Sequence, residues 1–535
     1  MHIVSWCLET YVERVGFGEQ SICNSLGEAM AREFLFDRQT AMPKKYIPIR
    51  QITCLWLVCG ACLFAGCSRE VPEFMESARV QQLVPEARVT ISKQLAELYG
   101  TPTAPRSPHW LPIDRGGTLA RIEAITPATA GAGIQGLKLN LPEGFQLEAG
   151  VFVEPVKDPA ALLEESSGPS GAYLAVPQVG VRTYDAAQRQ VTFQETVSWS
   201  LSPGDEVMVR PNSKLISGQR LYDQHCLLCH GRTGDGSGPQ SQVLNPKPRD
   251  FRLGLFKYTS TQPGVKASSE DLRKTIRTGI AGTGMPAFKN LGNHEVANIA
   301  EYVKFLGIRG ETEQQLCLET EIDFSQLALT EILEQAKTDQ EREKRKREFQ
   351  EQLQDFLNSD LPEIAADITQ ELAERWSLAD DPASLVAPLS SQTDPRGPSQ
   401  AKPDVMSLAN GRSLYLSKNL QCATCHGLTG KGDGEQTTQR QKKPDGSLYE
   451  TPGLHDEWGF PIRPRDLTHG VFHGGRAPLD LYRRIHSGVK GTPMPAYGGK
   501  GVTEAEIWDL VNYVYYLAGE YPDVAPATLV TAEQP

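Results

Sequence analysis

Apolar residues recur at helical spacing in several stretches of the chain. Behind Thr503 and Glu506, which have the spacing of a capping box, Ile507, Leu510, Val511, Val514 and Leu517 fall on one helix face. Ile299, Tyr302, Val303 and Leu306 form a matching stripe, with Asn293 as its candidate N-cap. SGQRLYDQHC (217–226) reads as a helix whose apolar side carries Leu221 and Tyr222. The charge run DQEREKRKREFQEQ (339–352) precedes Phe349, Leu353, Phe356 and Leu357 at i, i+4, i+7 and i+8, and a second stripe after Pro362 runs through Ile364, Ile368, Leu372 and Trp376. The charges predict a solvated face, and the stripes predict packing onto a neighbouring module or a partner. A different pattern fills the N-terminal third. GLKLNL (136–141), GAYLAV (171–176), VTFQETVSWSL (191–201) and DEVMVR (205–210) alternate or are apolar throughout between Gly- and Pro-rich breaks, as short strands do.

The helical stripes belong to a repeat. QHCLLCHGRTGDGSG (224–238) is answered by QCATCHGLTGKGDG (421–434), GQRLY (218–222) by GRSLY (411–415), and PRDF (248–251) by PRDL (464–467). DLRKTIRTGIAGTGMPAF (271–288) is answered by DLYRRIHSGVKGTPMPAY (480–497), and EYVKFLG (301–307) by NYVYYLAG (512–519). Two copies of one module are therefore expected, over 215–310 and 405–520. Around them we expect a polar linker over 67–114, a small β-rich domain over 115–214, a charged helical segment over 311–378, a Pro-, Ser- and Asp-rich linker over 379–404 that lets the second module move, and a tail over 521–535. The predicted fold class is mainly α: two helical modules, a helical segment between them and the β-rich N-terminal domain.

Spacing identifies the chemistry of the repeat. A tetrahedral zinc site needs four N or S ligands, and no second cysteine pair follows Cys229 at the usual distance. A redox dithiol belongs at a helix start after a strand, whereas a helix runs into Cys226 and Cys229 here. In C-x-x-C-H every chemically active residue is accounted for, since two thiols form thioethers to haem and the imidazole becomes an axial iron ligand. The methionine census supplies the sixth ligand. Of eight methionines, only Met285 lies between His230 and the end of the first module, and only Met494 follows His426, both in a G-x-x-M-P-A context. A lone Met is normally a packing residue, but two in the same context point to axial ligation.

With these residues in view, both modules resemble class I c-type cytochromes, and the chain is similar to the di-haem cytochrome c subunits of bacterial respiratory complexes. The resemblance implies two covalently attached haem c groups, on Cys226 and Cys229 and on Cys422 and Cys425. It implies His230 with Met285 and His426 with Met494 as axial pairs, and electron transfer as the activity. Arg249 and Arg465 of the Pro-Arg-Asp repeats are candidate propionate partners, the competing reading being loop arginines on the surface. Tyr302 and Tyr513 are expected at helix contacts. The polar insertion QRQKKPDGSLYETPGLHDEWGF (439–460) of the second module is expected over a haem edge or as a docking surface. Of the nearby His455, His469 and His473, one could replace Met494 as ligand, although surface histidines are the commoner case.

Composition narrows the partners and the compartment. A net charge of −12 argues against nucleic acid and leaves redox proteins as partners: an oxidase, a quinol-oxidising complex or a dehydrogenase. The segment from Met42 to Gly66 has a basic start, a short apolar run and small residues before Cys67, the plan of a signal peptide (42–66). FAGC resembles a lipoprotein cleavage box, with Phe64 where Leu is usual, so Cys67 is the candidate acylated residue. The expected location is the periplasmic side of a bacterial membrane, with a lipid tether. Six of the eleven cysteines lie from Cys67 onward, leaving only Cys317 without an assigned role. Two saturated irons imply a carrier rather than an enzyme. The alternatives are a di-haem enzyme similar to the bacterial cytochrome c peroxidases, and a cytochrome subunit of a periplasmic dehydrogenase. Residues 1–41 precede this leader and are expected to be absent from the mature protein. Intact mass of the purified protein should therefore match a chain beginning at Cys67 with its lipid, and a mass retaining residues 1–41 would overturn this start.

Overall fold

The computed structural model describes residues 73–129, 133–156, 178–388 and 404–531. The predicted leader and Cys67, the apolar run 171–176 and most of the predicted linker lie outside them. Among the described residues no helix is long and apolar enough to cross a membrane.

Three hydrophobic cores organise the described chain. One belongs to a closed barrel of six strands, β1 (Thr118–Pro127), β2 (Ile134–Leu139), β3 (Phe152–Pro155), β4 (Val179–Asp185), β5 (Gln190–Val197) and β6 (Glu206–Val209), in the order β1-β2-β5-β4-β3-β6. Every neighbouring pair is antiparallel, and β6 closes the barrel on β1. Leu137, Leu139, Val153, Val179, Val181, Val191, Val207 and Val209 are fully buried and fill its interior. Closure leaves no unpaired strand edge, which lets short strands stand as a domain. The expectation of a mainly α chain is thus corrected: a closed barrel with its own core stands beside the helices. Only three strands could be read from the sequence, because β2, β5 and β6 alternate over their lengths. The period of β1 breaks at a register shift between Ile122 and Ala124, and β3 is four residues long with a buried glutamate.

That glutamate marks the seam between barrel and helices. Glu154 is wholly buried and takes a two-oxygen contact from the Arg115 guanidinium at 2.9 and 3.0 Å. Gln178 donates to it at 2.9 Å, and the same arginine nitrogen donates to the Ser107 carbonyl at 2.8 Å. Burial raises the Glu154 carboxyl, and the arginine opposes that shift.

Among the described residues the α-helices of ten residues or more are α1 (Pro85–Tyr99), α2 (Ser213–His225), α3 (Ser269–Thr278), α4 (Asn293–Phe324), α5 (Asp339–Asp355), α6 (Leu361–Ser377), α7 (Val405–Leu416), α8 (Pro478–Ser487) and α9 (Glu504–Leu517). The N-terminal segment read as linker contains α1. Its Ala87, Ile91, Leu95 and Leu98 repeat at helical spacing and join the core of the first module. Helix α4 starts at Asn293 rather than using it as a cap; Glu295 instead accepts from the Gly292 amide. It runs for 32 residues, well past the end of the repeat. Buried charges along it are paired. Arg309 donates to Glu313 at 2.9 Å, Lys304 faces Asp380 at 3.3 Å, Glu301 accepts from the Asp114 amide, and Glu311 takes both Lys266 and the Trp376 indole N–H. The stripes of α5 and α6 therefore cover the first module: Phe349, Leu353, Leu372 and Trp376 share its core. In the second module the capping box read from Thr503 and Glu506 is present.

Breaking the seam should be costly. Arg115→Met leaves Glu154 buried without its ion partner, and we expect a loss of about 3–5 kcal/mol in denaturant unfolding of the full chain, partly restored by adding Glu154→Met. An unchanged midpoint would mean that the pair is solvated and structurally idle.

Candidate functional site

Each module is pinned by a helix crossing with no room for side chains. A Cβ at Gly218 of α2 would lie 2.0 Å from the Asn298 carbonyl oxygen of α4, and a Cβ at Gly411 of α7 would lie 2.1 Å from the Asp509 carbonyl oxygen of α9. Beside each crossing two tyrosines meet, Tyr222 with Tyr302 at 5.2 Å and Tyr415 with Tyr513 at 5.3 Å. The Tyr222 hydroxyl donates to the Gly231 carbonyl at 2.8 Å, and that of Tyr415 to the Gly427 carbonyl at 2.7 Å. The crossing thus holds the turn that follows each C-x-x-C-H. Sequence reasoning assigned Tyr302 and Tyr513 to helix contacts but missed Tyr222 and Tyr415 as tethers, although both end the repeated GQRLY and GRSLY segments.

None of the five described cysteines is paired in a disulfide. Burial pushes the Cys226 thiol up to about 12 and that of Cys422 up to about 11, and raises Cys425 as well. A redox dithiol needs the opposite shift, so dithiol exchange does not suit these residues. Among the described residues no group of three or more His, Cys, Asp and Glu side chains gathers as a metal cluster.

The two imidazoles are held identically. His230 Nδ1 lies 3.1 Å from the Arg249 carbonyl oxygen and His426 Nδ1 3.1 Å from that of Arg465, so the Pro-Arg-Asp backbone orients each ring and leaves Nε2 for a ligand. Burial lowers both imidazoles, which keeps them neutral, the state an iron ligand requires. The methionine loops are also built alike. The Met285 amide donates to Thr283 Oγ1 at 3.2 Å and the Met494 amide to Thr492 Oγ1 at 3.3 Å. Thr283 and Thr492 in turn donate to the Ile280 and Val489 carbonyls. These two threonines are a further pair that the repeat GTGMPAF/GTPMPAY could have revealed.

In the first module Cys226, Cys229, His230, Arg249 and Met285 line one apolar cavity, with Phe251, Leu272, Ile276 and Val303 among its walls. Two thiols, a neutral imidazole with one nitrogen engaged, a thioether and apolar walls fit haem c. The second module repeats every hydrogen bond that shapes this set.

The modules touch through these same parts. Arg249 leaves the surface and stacks on the Trp458 ring at 3.6 Å, which brings the insertion of the second module onto the first. His473 lines the cavity of the first module and faces Tyr258 at 6.5 Å. His455 instead stacks on Tyr449 at 3.7 Å, and His469 pairs with Asp466 at the surface. Lys274 of α3 forms an ion pair with Asp480 of α8, and Asp271 acts electrostatically on Arg483, the counterpart of Lys274 in the repeat. Residue i meeting j′ while j meets i′ is the signature of a local two-fold relation between copies. The predicted mobile linker begins inside this contact: the Val386 amide donates to the Ser260 carbonyl at 2.8 Å, and its carbonyl accepts from Arg483 at 3.1 Å. Burial among cations lowers His473 to about 4, and burial lowers Lys257 to about 8 and Arg249 to about 10.

Residues 213–303 and 407–514 match the family model described as cytochrome C oxidase, cbb3-type, subunit III. The two regions carry cytochrome c domains, so the protein is a haem-binding electron-transfer protein. Among solved structures, a chain of the reducing HAO-like protein complex Kustc0457/Kustc0458 of Kuenenia stuttgartiensis is similar at 24% identity, over 56% of this chain and 95% of that one, with a TM-score of 0.36. No curated protein matches the chain.

The crossings are the parts least tolerant of added volume. Gly218→Ala must push α2 off α4, and we expect it to cost about 1–3 kcal/mol in chemical unfolding. A variant as stable as the parent would show that the two helices separate freely.

Proposed function

We propose that the protein is a di-haem c-type cytochrome that passes single electrons between redox proteins at the outer face of a bacterial membrane. The observation that carries this reading is the duplicated donor set, in which two cysteines, an imidazole oriented through Nδ1 and a methionine on a threonine-braced loop recur with the same hydrogen bonds. In this reading Cys226 and Cys229, and Cys422 and Cys425, hold one haem each through thioethers. His230 with Met285 and His426 with Met494 would ligate the two irons. Haem bound in this way supplies a one-electron Fe(III)/Fe(II) couple, and His/Met ligation favours a relatively high potential.

The chain's own residues do the rest. The Arg249 and Arg465 carbonyls fix the imidazole orientation. The crossings at Gly218 and Gly411 keep the C-x-x-C-H turn at a set distance from the methionine loop. Phe251, which stacks on His230 at 4.7 Å, and the apolar walls keep water from the iron position. With His and Met from each module both committed to iron, a substrate would find no open position, which favours a carrier over a peroxidase-like enzyme. A role as the cytochrome subunit of a respiratory complex or a periplasmic dehydrogenase is compatible with the same site. The leader and Cys67 support export and a lipid tether, a reading that rests on sequence alone.

Spectra of the oxidised protein, the dithionite-reduced protein and the reduced protein under carbon monoxide test the proposal. We expect a Met-to-iron charge-transfer band sized for two methionines and no Soret shift on adding carbon monoxide. Met285→Ala should halve that band and create one carbon monoxide site. Carbon monoxide binding to the unmodified protein would instead mean an open iron and favour the enzyme reading.

A further inference from the structure

The two Pro-Arg-Asp arginines cross between the modules. A Cβ on Gly491, in the methionine loop of the second module, would lie 3.4 Å from a terminal nitrogen of Arg249. A Cβ on Gly282, at the same place in the first module's loop, would lie 2.9 Å from a terminal nitrogen of Arg465. Both glycines have positive φ, 76° at Gly282 and 70° at Gly491, so each loop turns where the other module's arginine passes.

Neither arginine hydrogen-bonds a protein carboxylate among the described residues, although Asp456 acts electrostatically on Arg249 and on Lys257. Arg249 lies over the Trp458 ring and, among the described residues, makes no side-chain hydrogen bond. Arg465 is pinned by one bond, from Nε to the Val471 carbonyl at 2.8 Å, which leaves its terminal nitrogens to point elsewhere. Around them stand Lys257, which lines the first cavity, and Arg484, which donates to the Asp480 and Gly475 carbonyls rather than to a carboxylate. The one acid at hand on α8, Asp480, is taken by Lys274. Two buried atoms at the same seam have no partner, Trp458 Nε1 and His473 Nε2. A half-buried set of cations and orphaned donors is costly unless anions complete it. Asp456 and the shared Asp480 are the acids set against Arg249, Lys257 and Arg484, so the seam has room for further carboxylates beside them.

We propose that the contact between the modules is one composite carboxylate site for the propionates of both haems, in which Arg249 and Arg465 each serve the haem of their own module and that of the other. This rests on the di-haem reading. It makes the modules interdependent: each completes the other's cofactor environment, and the charge on one haem is felt by the other through shared cations. Trp458 supplies a stacking face and an N–H, which gives the insertion of the second module a role within the protein rather than at its surface.

Potentiometric titration of the full-length holoprotein reads this directly, with haem counted on the same samples as the pyridine haemochrome. In the parent we expect two haems per chain and two one-electron waves. Removing a cation that faces both haems disfavours reduction of each, so Arg249→Gln and Arg465→Gln should each move both waves to lower potential, and the double variant should fall short of the summed shifts. Lys500→Gln, an exposed charge change near the second methionine loop, should leave both waves almost in place. Arg249→Lys and Arg465→Lys keep the charge but lose the planar fork, and should move both waves by a smaller amount even where the Gln variants fold poorly. Trp458→Phe, which keeps an aromatic face but drops the N–H, should also move both. If each arginine moves only one wave, or the double variant is additive, the composite site is wrong while the haem reading stands. Fewer than two haems in the parent would overturn the haem reading itself, and the composite site with it.

Discussion

Everything in the two modules hangs on helices that touch backbone to backbone. At Gly218 and Gly411 the contact leaves no volume for a methyl group, so the paired helices have one relative position. From one helix of each pair the chain turns into C-x-x-C-H, and the loop leading into the other carries the methionine. The separation of imidazole and thioether is therefore set by the crossing rather than by either loop. The tyrosine on each N-terminal helix passes that position on to the turn through a single hydrogen bond.

The first module extends the same logic outward. Helix α4 continues beyond the repeat, and its buried charges find partners in the segment ahead of the barrel, in α6 and at the turn of Asp380, while its buried Thr312 hydroxyl bonds Tyr99 at the end of α1. A charge buried without a partner would be heavily penalised, so these pairs specify which segments can cover the helix. Arg115 and Glu154 do the same where the barrel begins. The second module has no such collar. Its core is closed by its own helices and by Val386 and Leu529, and its contacts with the first module include arginines, the Lys274–Asp480 pair, Trp458 and His473.

The chemistry was legible in the sequence because it is local. C-x-x-C-H, the methionine context and the Pro-Arg-Asp repeat each fit within a few residues, and duplication showed which of them mattered. Helices with long apolar stripes were legible for a similar reason, as with Thr503 and Glu506 ahead of Ile507. The helix Pro85–Tyr99 had a readable stripe as well and was obscured by the polar, Pro-rich residues around it. The barrel was harder to read. Strands β2, β5 and β6 alternate, but β1 carries a register shift, β3 is short, and closure joins residue 118 to residue 209. Pairing between residues that far apart leaves no periodic trace in either segment.

The sequence by itself determined which side chains could hold a cofactor and that there are two sets of them, because covalent attachment and axial ligation need particular residue types at short spacing. Only the tertiary structure decided that the β region closes into a barrel, and that α5 and α6 cover the first module. It also decided that Arg249, Trp458 and His473 meet across the seam. Those outcomes depend on how distant surfaces fit and on how buried charges find partners, and both are properties of the packed chain.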